Sequence, residues 1–141
     1  MSHFLTFVIV SREEADVEQK AHELLYPYFD REIYASSKAN VKCDGFIIGG
    51  CYDQEIFGVE PMYNLTPADF EQRYGMDVVR AADNIRPASE VPKELVPYAV
   101  VTPEGEWFDC EKKDKESWRV EAEEFLQRYA NYLVVPVDCH C

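Results

Sequence analysis

The stretch LVVPVDCHC, Leu133 to Cys141, sets an aspartate, a histidine and two cysteines at the end of an apolar run. Read as a strand, it alternates: Leu133, Val135, Val137, Cys139 and Cys141 face one way, and Val134, Pro136, Asp138 and His140 the other. An aspartate two positions before a histidine on one strand face can orient the imidazole and stabilise its protonated form. In a hydrolase built on that dyad, His140 is the base, Asp138 its orienting acid, and the Gly50 backbone N–H a donor to developing negative charge. The same spacing also suits a plain structural or solvent-exposed pair. Cys139 falls on the other face and reads as a core residue; as a nucleophile it would need a neighbour that lowers its thiol pKa.

Other residues carry weaker signals. Cys43, Cys51, Cys139 and Cys141 could supply zinc thiolates, but an eight-residue step separates the first pair and one residue the second, whereas structural zinc sites favour gaps of roughly two to four. No cofactor or metal is therefore expected. Gly49-Gly50 marks a close backbone approach or a chain reversal and lacks the spacing of a phosphate loop. Trp107, between Glu104 and Glu106, either stacks on a ligand or closes the core edge. Asp83-Asn84 ends a helix or touches a ligand. His3 opens the first strand without a partner visible in the sequence, and His22 is assigned no role.

The elements that must position these groups follow from patterning. Phe4 to Val10 is a nearly continuous apolar run, the mark of a central strand covered on both faces. Ser11 and Glu14 form a capping box, predicting a helix from about Arg12 to Tyr26 that stops near Pro27. Phe46 to Ile48 is a short strand. Thr66-Pro67 with Asp69 opens a second helix reaching about Asp83, and IRPASEVPKELVP is an irregular connection. Tyr98 to Thr102, a turn at Pro103-Glu104-Gly105 and a return through Trp107 and Phe108 make a hairpin. The run EKKDKES reads as a solvated loop, followed by an amphipathic helix from about Lys115 to Tyr132 and the terminal strand Leu133 to Cys139. The order β-α-β-α-β-β-α-β predicts a single α+β domain over residues 1–141, a mixed sheet covered by about three helices.

Composition narrows the function classes. The 141 residues are 47% hydrophobic and carry 27 acidic against 14 basic side chains, a formal net charge of -13. Such a surface repels nucleic acid and anionic membrane, although a local basic pocket can still hold one nucleotide. The N-terminal apolar run lacks a basic leader, and no stretch reaches the roughly 18 apolar residues of a spanning helix, so a cytoplasmic protein is expected. Five cysteines, an odd number, argue against a disulfide framework.

Five segments in one order carry a resemblance: MSHF before the first strand, LLYPYFDREI, DGFIIGGCYDQEIFG, YAVVTPEGEW and the terminal VDCH. Together they resemble a widespread group of small proteins encoded by bacteriophages and prophages, a family of unknown function, over most of the chain. The resemblance implies a genomic setting and draws weight to His3, Gly49, Gly50, Gly105, Trp107, Asp138, Cys139 and His140. Family members often read GGRW where Gly49-Gly50-Cys51-Tyr52 stands here, so a basic group and an indole are replaced by a thiol and a phenol. An aromatic common before that strand is replaced by Gly45.

The reading that follows is a virus-encoded accessory protein in the host cytoplasm that binds a small polar ligand or a host protein, as in host interference or counter-defence. Its ligand surface would gather His3, Gly49, Gly50, Trp107, Asp138 and His140. Binding is favoured over catalysis because no convincing nucleophile, phosphate loop or metal constellation stands out. The Asp138/His140 hydrolase and a thiolate-zinc protein are the alternatives.

Overall fold

A computed structural model of the chain describes residues 3–29, 45–48 and 85–140. Among these, six strands form one mixed sheet and two α-helices pack on it, an α+β arrangement. The strands are β1 (His3–Val10), β2 (Gly45–Ile48), β3 (Arg86–Pro87), β4 (Ala99–Val101), β5 (Trp107–Asp109) and β6 (Leu133–His140). The helices are α1 (Val17–Phe29) and α2 (Lys115–Arg128). The helix expected from Thr66, the Gly49-Gly50 turn and Asp83-Asn84 lie outside the described residues, as do Cys43, Cys51 and Cys141.

The apolar run of β1 takes the central place expected of it. β6 pairs with it antiparallel over the full length, from His3 opposite His140 to Val10 opposite Leu133. β4 lies parallel on its other side, with Thr6 opposite Ala99. The order is β2-β6-β1-β4-β5, and β3 also pairs with β6. The far edge of β6 is thus shared: β2 covers its end, Ile48 opposite Val137 to Gly45 opposite His140, and β3 its beginning, Pro87 opposite Leu133. A proline is tolerated there because the edge needs no donor from it.

Alternation divides the core into two layers. Phe4, Val8, Val10, Val135, Val137 and Cys139 meet Ala21, Leu25 and Phe29 of α1 on one face. Leu5, Phe7, Ile9, Val100 and Val134 meet Trp118, Ala122 and Phe125 of α2 on the other. A fully buried side chain such as Phe7 or Leu25 contributes about 1.5–3 kcal/mol by leaving water, so the two-sided burial of β1 makes it the main fixed element.

Several boundaries differ from expectation for local reasons. α1 begins at Val17 because Asp16, not Ser11, caps it: Gln19 N–H donates to Asp16 Oδ1 at 3.0 Å and Lys20 N–H to the Asp16 carbonyl at 3.0 Å. Ser11 instead closes a separate turn, its carbonyl accepting from Glu14 N–H. The helix runs through Pro27, since burial of Phe29 outweighs the bond that proline cannot donate. α2 begins at Lys115 as expected, capped by Asp114, which accepts from Ser117 N–H at 2.9 Å, and ends at Arg128, short of the expected Tyr132. In the β4–β5 hairpin, Gly105 has φ +89, a left-handed conformation glycine adopts without cost, and its N–H donates to the Thr102 carbonyl at 2.8 Å.

Candidate functional site

The antiparallel pairing of the first and last strands brings both ends of the chain's described residues together. His3 stands opposite His140, and Leu5 opposite Asp138, so His3, Asp138 and His140 share the α2 face. The shared face of Asp138 and His140 agrees with the alternation read from the sequence. The contact adds a third member: His3 Nδ1–H donates to Asp138 Oδ1 at 2.7 Å. A carboxylate only accepts, so this bond places the proton on Nδ1 and leaves Nε2 as the open ring position. The His3 and His140 rings meet edge to face, with centroids 5.1 Å apart.

Exposure divides the roles within this cluster. Asp138 is 5% exposed, whereas the His3 side chain is 49% exposed. The carboxylate is therefore buried support and the imidazole is the group that can reach a ligand. His3 joins Asp138 and His140 as a third member that the sequence reading did not pair with the carboxylate. The spacing within VDCH could not disclose it, because the partner lies 135 positions away in the chain.

His3 also stands at the wall of a cleft of about 640 Å³, a size suited to a small molecule. Leu95, Pro97 and Trp118 are apolar lining residues of the cleft; Lys113, just before α2, and Lys115 and Arg119 of its first turns line it too. Trp118 is buried and its Nε1–H donates to the Pro97 carbonyl at 2.7 Å, tying α2 to the segment that leads into β4. Tyr98 Oη–H donates to Glu111 at 3.0 Å, and burial with that nearby carboxylate raises the phenol above its usual range. Burial and the Asp109 charge likewise push the Cys110 thiol up. The lysines were hidden in the sequence because a charged run is indistinguishable from an ordinary solvated loop until α2 fixes where it points.

Two other candidates are placed elsewhere. Trp107 packs on the α1 face, beside Tyr28 with centroids 5.1 Å apart and edge-on to Phe4 and Phe29, and its Nε1–H donates to Asp109 at 2.8 Å. It closes the core edge and does not join His3, Asp138 and His140. Cys139 is fully buried and its thiol donates to Thr6 Oγ1 at 3.3 Å. Burial pushes it up to about 12, with the Asp138 charge adding and the Thr6 hydroxyl opposing. A buried thiol raised this way is a poor nucleophile near neutrality. No group of three or more His, Cys, Asp or Glu side chains among the described residues is arranged to hold a metal. Among the same residues no helix is long and apolar enough to cross a membrane.

Comparison with known proteins returns no matching family model, no matching curated protein and no matching solved structure.

Proposed function

We propose that this chain binds a small polar ligand in the cleft beside His3. The observation that carries the reading is the 2.7 Å bond from His3 Nδ1 to buried Asp138, which holds an exposed imidazole in one tautomer where the cleft opens. A buried carboxylate that fixes the ring's orientation supports a histidine that offers Nε2 to a ligand. The cleft's volume and its mixture of apolar and polar lining residues support the same reading. The ordered segments that resemble phage-encoded proteins support placing this binding in the host cytoplasm, as interference with host metabolism or defence.

The same pair favours a second reading, a small hydrolase in which His3 Nε2 takes a proton and Asp138 stabilises the imidazolium. Thermal-shift screening of the wild type and His3→Ala against nucleotides, sugar phosphates, amino acids and polyols tests the binding reading. At a ligand concentration of about 100 Kd the stabilisation is about 2.7 kcal/mol, a clear rise in Tm. The expected result is a rise in the wild type that His3→Ala diminishes. A rise of equal size in both proteins would place the ligand elsewhere. Turnover of a ligand found this way, abolished by His3→Ala with the fold intact, would select the hydrolase.

A further inference from the structure

We infer that the ligand of this cleft carries an oxyanion, a phosphate or carboxylate group, recognised by Lys113, Lys115 and Arg119. The inference rests on the cleft being the binding site. Its basis is where the charge lies: among the described residues, Lys113, Lys115 and Arg119 line this cleft and Glu116 is the one acidic side chain that does. In a chain of formal net charge -13, a wall of that composition is a local inversion of sign. A cleft with low-dielectric walls focuses such a field and raises the local concentration of anions.

The three cations are differently held. Lys113 Nζ is 2.7 Å from Glu121 and lies 5.0 Å from the Trp118 ring centroid. Arg119 pairs with Glu116 and, at 3.5 Å, with Glu123. These carboxylates fix the two side chains in place, and neither Glu121 nor Glu123 lines the cleft. Lys115 makes no ion pair among the described residues, so its charge is uncompensated there. The N-terminal amide of α2 at Ser117 is already satisfied by Asp114, which leaves recognition to the side chains and not to the helix end. Burial raises the Cys110 thiol, and Glu111, which accepts from Tyr98, and Asp138, which accepts from His3, are acidic groups bonded to lining residues. His3 completes the set as a donor or acceptor through Nε2. Leu95, Pro97 and Trp118 could then carry an apolar body attached to the anion.

Calorimetric titration of the full chain with inorganic phosphate, AMP and adenosine tests this. The expected result is binding of phosphate and AMP but not adenosine, weakened roughly tenfold or more in Lys113→Glu/Lys115→Glu and unchanged in Lys20→Glu on α1. Equal affinities for phosphate and AMP would identify a free oxyanion as the recognised species; tighter AMP would identify an anion joined to an organic body. If the double variant fails to fold, Lys115→Gln with a weaker affinity and a reduced salt dependence serves the same purpose. Adenosine binding as well as AMP, with no loss on charge reversal, would overturn the oxyanion and leave the cleft intact. Silence with all three, while a neutral compound raises Tm in a His3-dependent way, would do the same. Silence with all three and with every compound in the thermal screen would overturn both the anion and the cleft.

Discussion

At the scale of single residues, burial decides which groups can react and which only support. Asp138 and Cys139 are adjacent in sequence and both buried, yet alternation sends the carboxylate to His3 and the thiol to Thr6. Asp138→Ala should therefore cost on the order of 1 kcal/mol in stability, modest because His3 is half exposed, while removing most ligand affinity; urea melts and titration check the two losses separately. Cys139 makes a pH prediction. Its folded-state pKa lies above the ordinary thiol value, so the stability it contributes is complete below about pH 9 and is lost as pH rises toward 12. Denaturant melts from pH 8 to 10 should show wild type falling faster than Cys139→Val, by at most about 1.4 kcal/mol per pH unit. Parallel curves would mean that the thiol ionises normally. The sequence disclosed the faces of Asp138, Cys139 and His140, because strand alternation is local. It did not disclose His3 as the partner, because that contact depends on strand order.

At the scale of elements, local signals succeeded where one physical term dominated. β1, the β4–β5 hairpin and the periodic part of α2 were readable because burial, turn chemistry and helical spacing each agreed with the final structure. α1 was misplaced at its start because Ser11 and Asp16 both offer an N-cap, and packing of Ala21, Leu25 and Phe29 chose Asp16. β3 went unread because a two-residue strand containing a proline has no pattern of its own; it exists because β6 has an edge to fill. α2 links core and cleft, and two substitutions should separate those duties. Asp114→Ala removes the cap and should cost about 1 kcal/mol, measurable as a lower Tm without a change in the core. Trp118→Ala should cost about 3–5 kcal/mol and also weaken the ligand, because it removes both the core contact and the bond to Pro97. A Trp118→Ala protein as stable as Asp114→Ala would show that α2 is held mainly by something other than its buried indole.

At the scale of the whole molecule, the sheet pairs the first and last described strands, and the proposed cleft lies beside that joint. A net charge of -13 predicts weak attraction to nucleic acid, and it makes the Lys113–Lys115–Arg119 wall conspicuous against its surroundings. Composition revealed the first of these but not the second, since a total says nothing about where charge gathers. The most direct test of the central claim is a long-range nitrogen–proton NMR correlation of the imidazole rings, recorded with and without phosphate or AMP. The account predicts a fixed Nδ1–H tautomer at His3 that is lost in Asp138→Asn, and ligand-induced shifts at His3 with none at His22 on α1. A His3 ring that averages its tautomers, or a ligand that moves His22 and leaves His3 unchanged, would contradict it.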